Sequence, residues 1–420
     1  MSRTHIPGTP GLLRTINDRA ALELLLDTGP MTRSQIGDLT GVSRPTSSQI
    51  VARLETAGLI EATGAVQGAR GPQAVMYAAR TDVVVGLALD VLPTGVQASV
   101  VDARGNVLGT ADVPTSAERT AIRDVRAAWD AACADAGVPV ERVGTIVAGV
   151  QAAADPVSGD LWLVGDLPGW PLLAVRTLLE QELGVPVRIE NDVNLATIAE
   201  RDAGRRTEKS FALLWLGGGI GLGTLIDGSL HHGATGAAGE LGYLPVPVTV
   251  REYDDHSMNL QDLVGGRRFE ELAGRHGVPG ETYDEILAAM AADPDSPAVV
   301  ALVEDFGRRV AAVVQPVVAV VEPHLLVLGG PTCIAGGQRL ADATRSHLID
   351  TEQGVAPIAP TLVPVAPVLR GAEAVVAADV RSLLLDRVSL HLADHGAPPV
   401  SSPAARPSTT TGARAPSHSG

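Results

Sequence analysis

Between Ala20 and Leu25 every residue except Glu23 is apolar, and the run predicts a helix that stops near Gly29. The pattern then restarts. Thr32 is placed to cap a second helix, with Gln35 three residues on to close a capping box. Thr40-Gly41-Val42 forms the break. Ser43 is placed to cap a third helix, and Pro45 falls in its first turn, where a missing N–H has no helical partner to lose. Ile50, Val51 and Leu54 give this helix one apolar face, and Gly58 ends it. Leu59-Ile60-Glu61 then reads as a short strand, Gly64 to Gly71 as a turn, and Ala74 to Ala79 as the returning strand.

Two capped helices around a glycine turn, followed by a hairpin, make the pattern of a winged helix-turn-helix over residues 1–80. The second helix of such a pair enters the DNA major groove. Its contact side chains are read as Ser43, Arg44, Thr46, Ser47, Gln49 and Arg53, with Arg70 at the tip of the wing. Arginine and glutamine match guanine and adenine edges, while serine and threonine hold phosphates or adapt to either base. The same spacing also suits a small helical bundle with no DNA role; the hairpin argues against that. Charge leans the same way. Residues 1–80 hold eight arginines and six acids, so the remainder of this −16 chain carries about −18. An acidic body repels DNA, which confines any contact to the N-terminal region.

From Val83 onward the pattern changes to apolar strands separated by longer helical stretches. Val83–Asp90, Val96–Val101 and Asn106–Leu108 read as a strand meander, Ala117–Ala136 as a helix and Val143–Val150 as a buried strand. The design then repeats: strands Phe211–Leu216 and Gly221–Ile226, a helix around Arg267–Arg275, a long helix Pro297–Val321 and a strand His324–Leu328. Meander, helix and strand, twice over, predict two related α/β lobes with a ligand cleft between them, over residues 81–394.

Composition narrows the class. At 45% hydrophobic and 3% aromatic, the core is built of Ala, Val and Leu. Two cysteines, Cys133 and Cys333, are too few for a disulfide framework or a four-cysteine metal site. No apolar leader opens the sequence, and the apolar run Val310–Val321 is interrupted by Gln315 and Pro316 and too short to span a bilayer. The expectation is a soluble, reduced, cytoplasmic protein with no membrane contact and a disordered tail over residues 395–420, rich in Pro, Ser, Thr, Ala and Gly.

Five stretches resemble the ROK family of bacterial repressors and sugar kinases, across residues 10–390. They are DLPGW at Asp166–Trp170, ENDVNLATIAE at Glu190–Glu200, LGGGIGLGTLIDG at Leu216–Gly228, GAAGELGY at Gly236–Tyr243 and VLGGP at Val327–Pro331. The resemblance implies a two-lobed, actin-like sugar-kinase fold behind the winged helix, an arrangement carried by the family's repressors. It also implies site residues. Asp192 stands where family kinases have the base that takes the sugar hydroxyl's proton. Beside that reading stands a plainer one, in which Asp192 caps a helix beginning at Val193. Glu240 stands where the family hydrogen-bonds the sugar, with a solvated turn acid as the alternative. Asn191 completes the set, and Tyr243 and Gln261 occupy two further sugar-contacting positions that the family fills with His and Glu.

The departures matter as much. Family kinases carry Asp-x-Gly-Gly-Thr after the first strand; here Asp90-Val91-Leu92-Pro93-Thr94 puts a side chain at Leu92 and removes an N–H at Pro93. That reads as loss of ATP binding, with the Gly217–Gly221 turn retained for the chain reversal alone. The family's zinc ligands, one His and three Cys, align with Tyr243, Glu252, Asp254 and Asn259, so thiolate ligation is excluded. Asp254, Asp255 and His256 suit either another metal or an acidic surface loop. The expectation is a transcriptional regulator, a sugar-responsive repressor without kinase activity, cofactor or metal. It would bind a double-stranded, palindromic operator as a homodimer or homotetramer and answer to a small sugar-like effector. An active kinase with an appended DNA-binding domain and a ligand-free DNA-binding scaffold are the alternatives.

Overall fold

The capping signals at the N-terminal end are realised as read. In the computed structural model, which describes residues 10–66, 73–116, 118–163, 167–204, 208–349 and 357–395, the chain opens with α1 (Pro10–Thr28), β1 (Met31–Thr32), α2 (Arg33–Thr40) and α3 (Arg44–Thr56). Strands β2 (Ile60–Val66) and β3 (Ala74–Ala79) follow. Thr32 and Gln35 form the reciprocal capping box, and Gly41 leaves α2 with φ 70°, which a Cβ would oppose. Ser43 caps α3 through the Thr46 N–H. The three strands pair in the order β1-β3-β2 over a core of Leu22, Leu25, Ile36, Ile50, Val51, Leu54 and Tyr77. This is a winged helix.

Two of the side chains assigned to DNA turn out to face inward. Ser47 is buried, and its hydroxyl donates to the Arg33 carbonyl at 2.5 Å, where α3 crosses α2 at Gly37. Arg53 is half-buried and forks onto Asp18 of α1, with Nε and Nη2 at 2.8 and 2.6 Å from the two carboxylate oxygens. Asp18 is 1% exposed, so this bidentate pair is what makes its burial tolerable. Arg70 lies outside the described residues.

The body holds the predicted repeat. The first lobe runs through the antiparallel meander β4 (Val85–Leu92), β5 (Gly95–Val101) and β6 (Val107–Pro114) into α4 (Ala121–Ala136) and β7 (Val143–Val150). A small ribbon, β8 (Ala153–Ala154) with β9 (Leu161–Trp162), precedes α5 (Val175–Leu183), β10 (Val187–Asn191) and α6 (Asp192–Asp202). The second lobe has β11 (Phe211–Leu216), β12 (Ile220–Ile226) and β13 (Ser229–Leu230), then α7 (Leu260–Val264), α8 (Gly266–His276), α9 (Tyr283–Ala292) and α10 (Pro297–Val321). It closes with β14 (Leu326–Gly329), α11 (Pro331–Ser346) and β15 (Ile358–Pro360), before the last helix, α12 (Pro367–His395). The sheets have the same topology. Read from the outer meander strand, they run β6-β5-β4-β7-β10 and β13-β12-β11-β14-β15, with the last two strands of each parallel to the first.

Helix α6 is shared between the lobes. On one side it lies against β12, where Cβ atoms at Gly221 and Gly223 would fall 2.7 Å from Val193 and 1.9 Å from Thr197. On the other it crosses α12 at Gly371, where a Cβ would fall 1.9 Å from the Leu195 carbonyl. At its C-terminal end the fully buried Glu200 accepts the N–H groups of Leu362 and Val363, at 2.8 and 3.1 Å, on the segment leading into α12. Helix α12 then reaches the winged helix: Arg19 pairs with Asp386 at 3.0 Å and Arg381 with Asp27 at 2.6 Å, and one apolar cluster runs from Leu22 and Leu25 to Val376 and Leu384. The proposed tail beyond His395 lies outside the described residues. No single helix among the described residues is long and apolar enough to cross a membrane.

Removing Arg53 strands a buried carboxylate. Arg53→Ala is expected to destabilise the winged helix by about 3 kcal/mol, measured by urea unfolding, with Asp18→Asn in the same background recovering part of the loss. A loss below half a kcal/mol would mean that the pair is solvated.

Candidate functional site

The N-terminus of α6 carries Asn191 and Asp192. The helix cap is Asn191, not Asp192: Asn191 Oδ1 accepts the Asn194 N–H at 3.0 Å. Its two amide hydrogens are also committed, to the Ala152 carbonyl and to Asp192 Oδ1, both at 3.1 Å. Asn191 therefore orients a carboxylate rather than offering its donors to a ligand, which corrects its expected role. Asp192 Oδ1 takes a further N–H, from Val193 at 2.8 Å. Burial pushes the Asp192 carboxyl up to about 6, with the Glu240 charge adding to it.

Glu240 arrives from the other lobe. Its loop makes two close approaches that glycine alone permits: Gly236, φ 82°, against the Ala154 carbonyl of the first lobe, and Gly239, φ 93°, against the Leu222 carbonyl of its own lobe. Burial raises the Glu240 carboxyl as well. On the same loop His232 Nε2 meets Glu190 of β10 at 2.8 Å, a second contact between the lobes.

A third carboxylate went unrecognised in the sequence. Asp90, near the end of β4, is 7% exposed and has no hydrogen-bond partner among the described residues. Burial first, and then the nearby Asp192 charge, push it up to about 7. The signal lies in the sequence, since Asp90 heads the altered Asp-x-Gly-Gly-Thr stretch. Asp90, Asp192 and Glu240 together form an acidic floor with no arginine or lysine bonded to it among the described residues. Such groups accept hydrogen bonds from hydroxyls.

Beyond Asp90 the phosphate-type turn is absent. Residues Pro93 and Thr94 make a two-residue connection between β4 and β5, with Leu92 paired to Gly95. The buried Arg119 donates to the Leu92 and Pro93 carbonyls, both at 2.8 Å, and is itself held by Asp124 at 2.7 Å. Trp170 donates to the same carboxylate at 3.0 Å. The turn presents carbonyl oxygens fixed on a guanidinium, the reverse of an N–H cradle for an anion.

Gln261 is also corrected. Its Oε1 accepts the Ile220 N–H at 3.0 Å and its Nε2 donates to the Gly218 carbonyl at 3.1 Å. It props the Gly217–Gly221 turn and has little left for a sugar. Tyr243 is exposed on a single-turn 3-10 helix, Leu241–Tyr243.

The donor set at the family's zinc positions does not fit zinc. Tyr243 and Glu252 are exposed and Asn259 caps α7. Asp254 is not part of an acidic surface either: it is 6% exposed, with Arg309 Nη1 at 2.9 Å, Arg268 Nε at 3.5 Å and the Ser257 N–H at 3.0 Å. Burial alone would raise the Asp254 carboxyl, but Ser257 and the two arginines hold it below the usual range. Asp255 and His256 are the exposed members of the trio. Among the described residues no cluster of three His, Cys, Asp or Glu could hold a metal. An ion network occupies the place of the metal.

In the first half of α3 the exposed polar side chains are Arg44, Ser48 and Gln49, with Ser43 at the cap and Thr46 half-buried behind it. Ser48 escaped the sequence reading because position alone does not separate it from Ser47, its inward neighbour.

The profile of the family described as ROK matches residues 87–356, and that of the MarR family matches residues 12–71. The solved structure of a ROK family transcriptional regulator, a homologue of the E. coli MLC protein, superposes with a TM-score of 0.67 at 20% identity, covering 90% of this chain and 99% of that one. A glucokinase of Streptomyces coelicolor is 33% identical over 162 residues, 38% of this chain and 49% of the enzyme. A xylose repressor of Caldicellulosiruptor bescii is 25% identical over 244 residues, 57% of this chain and 61% of the repressor. The chain thus spans less than two thirds of the length of these two curated relatives.

Two outcomes follow from the geometry. Asp90 and Asp192 ionise at higher pH in the folded protein than in the unfolded chain, so the stability they contribute is full below about 4 and is lost as pH rises through about 6 to 7. Asp90→Asn should therefore stabilise the protein more at pH 8 than at pH 5, by about 2 kcal/mol in thermal unfolding; an equal effect at both values would show Asp90 to be solvated. Chelator treatment should leave the melting temperature unchanged, whereas Asp254→Ala, which strands Arg309, should cost about 3–5 kcal/mol. One zinc per chain surviving dialysis against chelator, by elemental analysis, would overturn this account of the loop.

Proposed function

This chain belongs to the ROK family, and from that premise we propose that it is a transcriptional repressor which senses a sugar or sugar-like molecule and does not phosphorylate it. One observation carries the reading. The carboxylate floor of Asp90, Asp192 and Glu240 is kept, while the turn that would hold a triphosphate is closed by Leu92 and Pro93 and locked by Arg119. Hydroxyl binding needs only acceptors and a closing lobe. Phosphoryl transfer needs the γ-phosphate held in line with the hydroxyl. The xylose repressor and the MLC homologue, both similar to this chain, support the regulatory side.

Coupling to DNA has a route. Ligand at Asp192 sits on the first turn of α6; α6 is fixed to α12 by Gly371 and Glu200; α12 carries α1 through Arg19, Arg381 and the shared apolar cluster. Lobe closure would tilt the winged helices of a homodimer relative to each other, changing their fit to a two-fold operator. Arg44 and Gln49 would read base edges, with Ser43 and Ser48 on phosphates.

A kinase with an appended DNA-binding domain is the second reading. Asp192 stands where family kinases have their base, and part of the chain is 33% identical to a glucokinase. A coupled ATP assay over a panel of hexoses and pentoses separates the two: no turnover is expected above the no-enzyme blank, and turnover abolished in Asp192→Asn would establish the kinase. On the DNA side, Arg44→Ala should cost about 1–3 kcal/mol of operator affinity in a gel-shift titration, and deleting residues 1–80 should abolish binding. Unchanged binding after that deletion would sink the DNA assignment.

A further inference from the structure

The two lobes meet through a histidine. His232 follows β13 on the second lobe, and its Nε2 lies 2.8 Å from Glu190 Oε2 on β10 of the first. Glu190 is 8% exposed, and its other oxygen is spent on the start of α6, accepting the Asn194 side-chain N–H at 2.8 Å and the Asn191 N–H at 3.1 Å. One carboxylate thus braces the first turn of the helix that carries Asp192 and holds the loop that carries Glu240. His232 is tied into that loop by its own carbonyl, which accepts the Ala238 N–H at 3.2 Å.

This contact carries a charge that ordinary pH can remove. The bond to Glu190 raises the His232 ring above its ordinary value, against burial and the Arg188 charge. The pair borders a cavity of about 560 Å³ whose other charged groups are Asp155, Arg176, Glu180, Arg188 and Asp379. Each of these is engaged elsewhere. Arg188 pairs with Asp379 at 3.1 Å, and Arg176 donates to the Val157 carbonyl. Glu180 accepts the Val187 N–H at 3.1 Å, and Asp155 accepts the Val157 and Ser158 N–H groups, both at 2.8 Å. On its own loop the titratable neighbours are His231, which is exposed, and Glu240. Glu190 is therefore the one ion-pair partner of His232 among the described residues. The ion pair is complete below about 6.5, the ordinary value of the ring, and is lost as pH rises through the raised one. The cavity gives the ring room to swing away once the attraction falls.

We propose that His232 and Glu190 form a pH-sensitive latch between the lobes: the imidazolium holds the Glu240 loop on the start of α6, and the neutral ring lets the lobes part. The neighbouring approach of Gly236 to the Ala154 carbonyl has no proton to lose, so the response belongs to the histidine. The latch rests on the sensor reading only for its consequence. Acidification favours the same closed state as a ligand on Asp192, and so weakens the operator complex.

The test uses full-length protein spin-labelled at Ala127→Cys on α4 and Ala288→Cys on α9, one exposed position in each lobe, with labelled chains diluted into unlabelled ones; the native Cys133 and Cys333 are buried. Spin–spin distances are taken without sugar at about pH 5.5 and about pH 8.5, on either side of the histidine range. The wild-type background is expected to give a longer and broader distance at the higher pH. His232→Gln, neutral throughout, should give one distribution at both values, and Glu190→Gln, which removes the opposite charge, should do the same. The ratio of wild-type to His232→Gln operator affinity should fall about threefold on acidification. An unchanged distance in the wild type, or a shift of wild-type size in His232→Gln, would overturn the latch; the second result would pass the response to Asp90 and Asp192, whose carboxyls also titrate high. The parent reading fails separately: a distance change lost in His232→Gln, with no sugar altering operator affinity at either pH, keeps the latch and removes the sugar sensor.

Discussion

The arrangement of this protein depends on how closely helix α6 can be approached from both sides. A side chain at Gly221 or Gly223 would collide with Val193 or Thr197, and one at Gly371 with the Leu195 carbonyl. Backbone packing at that distance leaves α6 no freedom to slide, because interiors at crystal-like density switch between discrete arrangements rather than deform gradually. The consequence is functional. The first turn of α6 carries Asp192, its last turn carries Glu200, and the same helix touches both sheets and α12. Whatever moves the lobes must move α6 and α12 together, and α12 is paired to the winged helix.

Around that fixed helix the chemistry has been redistributed. Where a family kinase offers N–H groups to phosphate, this chain clamps carbonyls on Arg119. Where the family places zinc, it places Asp254 between Arg309 and Arg268. A metal site holds a loop by a few strong bonds to soft donors. A buried ion pair holds it only if both charges find partners, because either one alone carries a desolvation cost that nothing offsets. Arg309 shows the tension: it is 2% exposed and its Nε has no partner among the described residues. The acidic floor shows another. Three carboxylates are kept close, two of them well above their ordinary pKa, which destabilises the ionised protein.

Local signals were legible in the sequence; distant partners were not. The capping box at Thr32 and Gln35, the Ser43 cap, the strands Val143–Val150 and Phe211–Leu216 and the long helix Pro297–Val321 all stand where spacing put them. So does the doubled α/β design. Periodicity reports which face a residue takes, but not who meets it there. Arg53 has the spacing of a groove residue and is claimed by Asp18, thirty-five positions away. Gln261 was placed by resemblance in a sugar site and is claimed by the Gly218 turn. Asn191 sits in the expected place with its donors already spent. The roles of Asp90, Arg119 and Asp254 rest on burial and partnership, which only the fold supplies.

The account's central claim is that a ligand on the Asp192 carboxylate changes the grip of the winged helices on DNA. Operator affinity, titrated with and without a saturating sugar or sugar phosphate in the wild type and in Asp192→Asn, tests it most directly. The wild type should lose at least fivefold in operator affinity when ligand is added, about 1 kcal/mol of coupling, while Asp192→Asn should bind the operator normally and show no response. A ligand response of full size in Asp192→Asn would contradict the claim.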